Sequence, residues 1–310
     1  MTACPASGIG YLCAVRNKAV VHVLLSTLFF SLMNVCIKMV PGIPSYEVVL
    51  FRSVVSFLIS LSILLRLGIY PFGRKNHFYL IMRGVAGCAA LLMFFYTLQN
   101  LPLATAVTVQ YLAPLFTVFF AAFLLQEKLH WQQWAFLLLS FAGIVIIRGG
   151  VNAEFPAWIL LLGLLAAALS GFAYNAVKKA SETEHALVVV FYLPLITIPV
   201  IAPFSISNWV MPEGREWVYL LAVGVLTQLA QVNLTRAYQL EMASKITPYT
   251  YLGVVFAVIF GILIFGETYS IVGYVGILVV LTGVFLNFLF VNRVTNFKRL
   301  RAYMRHFPGA

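Results

Sequence analysis

The chain has 310 residues, of which 62% are hydrophobic and only 9% carry a charge. Soluble globular domains contain about 25% charged residues, so this composition excludes a soluble protein and indicates one that is embedded in lipid. The formal net charge is +11, but the basic residues are spread over the segments between apolar runs. That distribution follows membrane topology, and we do not expect the protein to bind nucleic acid.

Ten apolar segments follow one another along the chain, bounded by charged residues, proline or glycine. A helix needs about 20 apolar residues to cross the core of a bilayer. The sequence therefore predicts an all-α membrane protein with ten transmembrane helices, at approximately residues 20–40, 46–66, 78–99, 103–125, 131–147, 157–177, 186–206, 216–238, 243–265 and 270–291. The first segment is too long for the core of a signal peptide and no convincing cleavage site precedes it, so we expect it to remain.

The basic residues near the helix ends predict the orientation in the membrane. With the N-terminus in the cytoplasm, most of the 20 lysines and arginines lie in inner loops, and only Arg148 and Arg215 lie in outer loops. This asymmetry follows the positive-inside rule. Because the number of helices is even, we expect both termini in the cytoplasm of a multi-pass protein of the inner or plasma membrane.

Two stretches of the chain have nearly the same sequence. Residues 111–127 are YLAPLFTVFFAAFLLQE, and residues 251–267 are YLGVVFAVIFGILIFGE. A second match joins the first and sixth predicted helices, as Asn34-x-x-x-Lys38 and Asn175-x-x-x-Lys179. Apolar helices can resemble one another by chance, but here polar residues recur as well. The sequence therefore indicates an internal repeat.

The repeat divides the ten helices into two groups of five. Because five is odd, the second group starts on the opposite side of the membrane, and the two halves are inverted relative to each other, as in many secondary transporters. We predict a first repeat in residues 1–150, a second in residues 151–292, and a basic tail in residues 293–310. The tail is expected to lie on anionic lipids of the inner leaflet.

Four short motifs resemble a known family: Arg83-Gly84, Leu101–Ala106, Leu234–Tyr238 and Gly266-Glu267. With them the chain resembles the drug/metabolite transporter superfamily, and within it proteins with two tandem EamA domains. The first half departs from the last motif, because it has Gln126 before Glu127. The resemblance implies a ten-helix carrier of small metabolites that works by alternating access, with a central cavity between the repeats. We do not expect a cofactor.

Polar side chains inside a bilayer are costly, so each is a candidate functional residue. Arg52 and Arg83 lie within predicted helices, although long side chains can also reach the headgroups. Asn34 and Asn175 have short side chains and line a cavity or hydrogen-bond to a neighbouring helix. The full set of candidate substrate-binding residues is Asn34, Lys38, Arg52, Arg83, Tyr96, Gln110, Tyr111, Tyr174, Asn175, Gln228, Gln231 and Tyr251.

The positions of the acidic residues bear on the mechanism of transport. The chain has no aspartate, and of its glutamates only Glu47 falls within a predicted helix, near the outer end. A carboxylate at mid-depth that could carry a proton or bind sodium is therefore not predicted, which favours facilitated diffusion or exchange. Glu127 and Glu267 end the repeated stretches, where a glutamate can order the following turn or pair with a basic residue across a vestibule.

The sequence favours a transporter over other functions. It contains no phosphate loop, metal-binding helix pair or nucleophile elbow, so an enzyme is not expected. The excess of basic residues near the cavity makes a solute with a carboxylate or phosphate slightly more favoured. The alternatives are an amino acid or nucleoside-derived metabolite as solute, a channel, and a membrane scaffold that does not transport.

Overall fold

The structure is a computed structural model that describes residues 7–124, 131–150, 155–180, 183–240 and 249–306. Within these ranges the chain forms eleven helices. They are α1 (Ser7–Lys38), α2 (Ser45–Arg66), α3 (His77–Asn100), α4 (Leu103–Gln110), α5 (Ala113–Leu124), α6 (Trp131–Gly150), α7 (Ala157–Ala180), α8 (Ala186–Ser207), α9 (Glu216–Leu240), α10 (Leu252–Phe265) and α11 (Ile271–His306).

The helices occupy the ten predicted transmembrane positions. In the described part of the chain, eight spans are long and apolar enough to cross a membrane, and α4 and α5 together make one of them. Helices α6 and α10 supply two shorter apolar segments. The predicted all-α membrane fold with ten transmembrane segments is confirmed, and the protein is an integral multi-pass membrane protein.

Two helices extend beyond their predicted ends. Helix α1 begins at Ser7 and not near residue 20, and α11 continues to His306 and not to residue 291. Residues 292–306 contain neither glycine nor proline, so nothing in the sequence interrupts the backbone hydrogen bonds there. The predicted contact of the tail with anionic lipids concerns side chains outside the described residues and stays a prediction.

The fourth span is not one continuous helix, and neither is the ninth. Helix α4 ends at Gln110 and α5 begins at Ala113, so the fourth span is interrupted at Tyr111. The ninth span is interrupted at Tyr251, the equivalent residue of the second repeat, just before α10. Pro114 is the second residue of α5, where its missing N–H costs nothing because the first turn has no partner for it. Its counterpart Pro248 lies outside the described residues.

The packing of the helices has the symmetry of an inverted repeat. Helix α1 packs on α9, and its equivalent α7 packs on α3; α2 packs on α9, and its equivalent α8 packs on α3. In two further pairs, α2 with α8 and α6 with α11, a helix of the first repeat packs on its own equivalent in the second repeat. Single contacts repeat as well, because a Cβ on Gly84 would collide with Ile196, and one on Gly224 would collide with Val55. The inverted arrangement of the halves is therefore confirmed.

Small residues bring several helices close together. On α7, Gly171 faces the backbone of α5, where an added Cβ would lie 2.7 Å from the Thr117 nitrogen, and Ala167 is fully buried. On α6 and α11, Gly143 and Gly276 face each other, and a Cβ on either would lie 2.9 Å from the carbonyl oxygen of the other. We call this contact the glycine seam. Close approach of backbones is how membrane helices associate.

Candidate functional site

Arg52 on α2 is buried in the bundle interior, with 5% of its surface exposed. Its Nε donates a hydrogen bond to Thr227 Oγ1 on α9 at 3.3 Å. Its guanidinium carbon lies 5.9 Å from the centre of the fully buried Phe95 ring, within the range of a cation–π interaction. These contacts hold the side chain inside the protein, so Arg52 does not reach the headgroups.

Arg83 on α3 lies near enough to Arg52 for the two positive charges to act on each other, and Tyr174 on α7 lies beside them. We call Arg52, Arg83 and Tyr174 the arginine cluster. Arg83 Nε is buried and has no hydrogen-bond partner. The guanidinium lies against Gly87, where a Cβ would collide with it and with Leu193 on α8. The absence of a side chain at position 87 therefore makes room for the charge.

No carboxylate in the described part of the chain pairs with either arginine. The ion pair that forms there joins Lys38 to Glu267. Glu47 is fully buried, but it lies in the first turn of α2 and accepts a hydrogen bond from the Val210 nitrogen at 3.1 Å. A buried charge without a partner is strongly unfavourable, so the arginine cluster has the chemistry of a site for an anion.

The two interrupted spans meet at their equivalent tyrosines. The rings of Tyr111 and Tyr251 have centres 5.4 Å apart. The Tyr111 hydroxyl donates a hydrogen bond to the Thr250 carbonyl at 2.5 Å. Gln110 precedes the first break and donates to Ser170 Oγ on α7 at 3.0 Å, while its Oε1 is buried without a partner. The structure therefore brings three predicted residues together where the halves meet.

Lys38 is not part of the arginine cluster. Its Nζ lies 2.7 Å from Glu267 Oε1 and donates to the Leu101 carbonyl at 2.5 Å. Both oxygens of Glu267 accept from the Leu103 nitrogen at the start of α4, at 2.8 and 2.9 Å. A carboxylate is favourable at a helix N-terminus, where backbone N–H groups lack partners. Of the two roles considered for this glutamate, ordering the following turn or pairing with a basic residue, the structure shows the ion pair for Glu267, whereas Glu127 lies outside the described residues.

The turn after α10 places Glu267 against Lys38 and the Leu103 nitrogen. Gly266 ends the helix with a positive φ of 61°, a conformation that glycine adopts without strain. The Tyr269 hydroxyl donates to Glu267 Oε2 at 2.8 Å. Burial, together with the neighbouring carboxylate, raises the pKa of Tyr269 far above its usual value, so this hydroxyl keeps its proton. The Gly-Glu pair thus joins the end of the ninth span to the start of the fourth.

The remaining amides make contacts between helices. Asn175 is buried and donates to the Thr117 carbonyl on α5 at 2.9 Å, while its Oδ1 has no partner. Gln228 is buried and is joined to Ser60 on α2 by hydrogen bonds of 3.2 and 3.4 Å. Asn34 is buried near the end of α1, with Oδ1 unpartnered. For Asn175 and Gln228 these contacts support helix association.

One predicted residue lies apart from these groups. Tyr96 packs on Trp158 with ring centres 5.7 Å apart, and Trp158 is half-exposed at the start of α7. An aromatic pair near a helix end is typical of the membrane interface, so Tyr96 is not brought to the arginine cluster. Gln231 on α9 is half-buried, and it lies one turn beyond Gln228.

Two residues that contact the arginine cluster are not among the predicted site residues. Thr227 is buried, binds Arg52, and donates to the Val223 carbonyl at 2.7 Å. It lies four residues before Gln231, so helical spacing places it on the same face as that predicted residue. Phe95 carries no such signal, because one phenylalanine among 26 cannot be recognised as the neighbour of a charge.

The family follows from comparison with known proteins. The profile of the EamA-like transporter family matches residues 17–149 and again residues 157–289. The chain belongs to the EamA-like transporter family. The two matches cover the two sets of five spans, and the resemblance of the short motifs is confirmed.

The most similar relatives of this EamA protein include named transporters. It is 30% identical over 254 residues to the pseudopaline exporter CntI of Pseudomonas aeruginosa, covering 81% of this chain and 89% of that one. It is 29% identical over 224 residues to the S-adenosylmethionine uptake transporter of Rickettsia prowazekii, covering 72% and 76% of the two chains. It is 26% identical over 260 residues to solute carrier family 35 member G1 of Mus musculus, covering 79% and 71%.

A solved crystal structure has the same fold. It matches with a TM-score of 0.62 and 20% sequence identity, over 90% of this chain and 99% of that one. From the family and the named relatives, the EamA protein is a membrane transporter of small metabolites and not an enzyme.

Proposed function

We propose that the EamA protein moves a small anionic metabolite, one that bears a carboxylate or phosphate, by alternating access between its two inverted halves. The observation that carries the proposal is the arginine cluster. Arg52 is held in the interior by Thr227 and Phe95, and Arg83 lies near it with a buried Nε that has no partner. Guanidinium groups bind carboxylate and phosphate through paired hydrogen bonds.

The contacts between the halves support an alternating mechanism. The Lys38–Glu267 ion pair joins the first half to the second at one face of the membrane. The Tyr111–Thr250 hydrogen bond joins the halves again where the two helices are interrupted. We propose that these contacts break when the protein opens toward the Lys38 face. In the orientation that the basic loops predict, this face is the outer one and both termini are cytoplasmic.

The placement of the carboxylates supports facilitated diffusion or exchange. Among the described residues, Glu47 and Glu216 are the glutamates that lie within helices, and each occupies the first turn of its helix. Neither is near mid-depth, where a coupling ion would bind. Transport is therefore expected without a pH gradient.

Uptake by purified protein in liposomes tests the proposal. Radiolabelled dicarboxylates, phosphate esters, amino acids and nucleoside-derived metabolites are compared with and without a pH gradient, and counterflow separates a carrier from a channel. A carboxylate or phosphate compound is the expected solute. Uptake restricted to neutral or cationic compounds would refute the proposal.

The arginine cluster itself is tested by substitution. Arg83→Ala removes one of the two interior charges, so anion uptake is expected to fall at least about tenfold, the equivalent of one lost interaction of about 1.4 kcal/mol. The yield of folded protein is expected to change little, because Arg83 makes no ion pair within the described residues. Arg215→Ala, on an exposed residue just before α9, is the control and should leave uptake unchanged. Equal losses of yield and uptake in Arg83→Ala would mean that the residue only anchors its helix.

A nucleoside-derived metabolite is the second candidate solute. Relatives from Rickettsia are named S-adenosylmethionine uptake transporters, and the half-exposed Tyr174 ring beside the arginines offers a surface for stacking. In the same liposome assay, S-adenosylmethionine uptake that survives Arg83→Ala would favour this candidate over an anion.

A further inference from the structure

We infer that Thr227 is a positioning residue for the solute: it holds Arg52 by Nε and leaves the two terminal nitrogens of that guanidinium group to bind the anion. The inference rests on the proposed function and deepens it, because it assigns the anion to Arg52 and names the residue that orients this side chain.

The Thr227 hydroxyl is placed to accept from Arg52. It donates its one proton to the Val223 carbonyl at 2.7 Å, one turn earlier in α9, and the Met33 sulfur lies 2.8 Å from the same oxygen. Arg52 Nε donates to this oxygen at 3.3 Å. An arginine side chain has N–H donors and no acceptor, so a hydroxyl whose proton is used elsewhere is a suitable partner. Both side chains are buried, and the contact is therefore shielded from water.

In the part of the chain that the structure describes, the terminal nitrogens of Arg52 have no hydrogen-bond partner. Nε is bonded to Thr227, and the Phe95 ring centre lies 5.9 Å from the guanidinium carbon. A buried charged donor without a partner is costly. Two neighbouring terminal N–H groups match the two oxygens of a carboxylate or of a phosphate. We therefore expect the anion at the end of the Arg52 side chain, bound by both terminal nitrogens.

The equivalent pair of residues in the repeat is apolar. The matching contacts of α3 with α8 and of α9 with α2 fix how the repeats align. In that alignment the counterpart of Arg52 is Leu193, and the counterpart of Thr227 is Gly87. A Cβ on Gly87 would lie 2.8 Å from the Leu193 side chain, so the two counterparts also meet. Since an apolar pair fills this helix crossing, packing alone does not require the Arg52–Thr227 pair, and solute binding accounts for it.

The Arg52–Thr227 hydrogen bond also joins the two halves of the molecule. Arg52 lies on α2 of the first repeat, and Thr227 lies on α9 of the second. The orientation of the charge therefore depends on how the halves are arranged. Inverted-repeat transporters bind their solutes between the repeats, where such a dependence links solute binding to the movement of the halves.

Binding of small anions to variants of Thr227 tests the inference. The probes are succinate and methyl phosphate, and each dissociation constant is measured from the thermal shift of the purified protein in detergent. Thr227→Val removes the hydroxyl at nearly constant volume, so Arg52 keeps its charge and loses its orientation. We expect the dissociation constant of at least one probe to rise about fivefold or more, because an unoriented side chain must be ordered on binding. Thr227→Ser keeps the hydroxyl and should bind within about twofold of the unmodified protein.

Thr197→Val is the matched control. Thr197 on α8 is fully buried, and its hydroxyl also donates to the carbonyl of the residue four positions earlier, Leu193, at 2.7 Å. This variant loses a buried hydroxyl of the same kind and should keep the affinity for the probes. The melting temperature without ligand and the elution volume show whether each variant folds, and Thr227→Ala takes the place of Thr227→Val if valine prevents folding.

The hydrogen bond itself is measured by NMR on protein labelled with 15N-arginine. The Arg52 Nε–H signal is identified by its absence from Arg52→Lys. We expect this hydrogen to exchange with water at least about tenfold more slowly in the unmodified protein and in Thr227→Ser than in Thr227→Val, because hydrogen bonding protects against exchange. A residue with a merely structural role would change the melting temperature and leave this exchange rate as it is.

The inference and the proposed function fail in different ways. Equal affinity of the unmodified protein and Thr227→Val for a probe that binds would overturn the inference and leave the proposed anion transport standing. Rapid exchange of the Arg52 Nε hydrogen in the unmodified protein would overturn it too, even if no variant of Thr227 folds. If neither probe binds the unmodified protein, the proposed function fails and the inference fails with it.

Discussion

Lys38 and Glu267 form an ion pair between the two halves of the molecule. Their side chains are 16% and 10% exposed, so the pair is largely shielded from water, and removing one partner would leave the other charge without a counter-charge. Glu267 is also bound by the Leu103 nitrogen and the Tyr269 hydroxyl. The carboxylate therefore accepts from three donors, and losing its charge affects all of them.

Glu267→Gln is expected to destabilise the protein, because the amide places N–H groups opposite donors that need an acceptor. In a double-mutant cycle with Lys38→Met, the two losses should not add, and the coupling free energy is expected to be about 1–3 kcal/mol. It is measured from the melting temperatures in detergent. Glu213→Gln, at an exposed glutamate on the same face, is the matched control. Additive losses would show that the two residues act independently.

At the scale of residues, the sequence predicts the type of chemistry better than the position. Arg52 and Arg83 could be singled out because charges are rare in apolar segments. Whether they point inward depends on Phe95, Gly87 and Thr227, which are distant in sequence or carry no polar signal. Lys38 was a candidate for the same site, yet its partner Glu267 lies more than 200 residues away in the chain, and only the fold brings them together.

The sixth span shows how spacing determines an element's packing. Gly163, Ala167 and Gly171 recur every four residues, and this face packs on α3, α4 and α5. A Cβ added to Gly163 would lie 3.3 Å from the side chain of Val109. Such a close-packed face can be predicted from the sequence, because helical periodicity is local.

Ala167→Leu inserts a large side chain into this contact, where the alanine is fully buried. Overpacking of this kind costs about 1–3 kcal/mol, so we expect a lower melting temperature and a lower yield of monodisperse protein by size-exclusion chromatography. Leu161→Phe on the same helix adds volume at a residue that is 64% exposed, and it should have little effect. Unchanged folding of Ala167→Leu would refute the assignment of this face.

The interrupted helices were harder to predict than the intact ones. Hydropathy continues through Tyr111 and Tyr251, so both stretches look like uninterrupted spans. Pro114 and Pro248 lie close in sequence to the two breaks, but α8 contains Pro194, Pro199 and Pro203 and is continuous. Proline alone therefore does not determine where a membrane helix breaks, because neighbouring groups can satisfy the freed backbone.

For the whole molecule, the orientation in the membrane is open to direct measurement. In a variant without the four cysteines, single cysteines are placed at Met211, between α8 and α9, and at Leu67, at the end of α2; both residues are well exposed. We expect a membrane-impermeant maleimide to label position 211 in intact cells and position 67 only after lysis. Labelling of both in intact cells would contradict the inverted arrangement, and labelling of position 67 alone would reverse the orientation.

The number of spans and the inversion of the halves follow from local rules, namely the length of apolar runs and the parity of crossings. Pairing of helices is a property of the complete fold. The contact of α6 with α11 could not be predicted, because Gly143 and Gly276 are each an ordinary glycine among 21.

The glycine seam sets a limit on how the molecule can move. Backbones in direct contact have no flexible side chains between them to absorb sliding, so α6 and α11 should travel as one unit that binds the halves along a single edge. Opening toward either side of the membrane would then be a rotation of the two halves about the contact between α6 and α11. The surfaces of the two halves that separate in this rotation meet along α2 and α8, beside the two arginines.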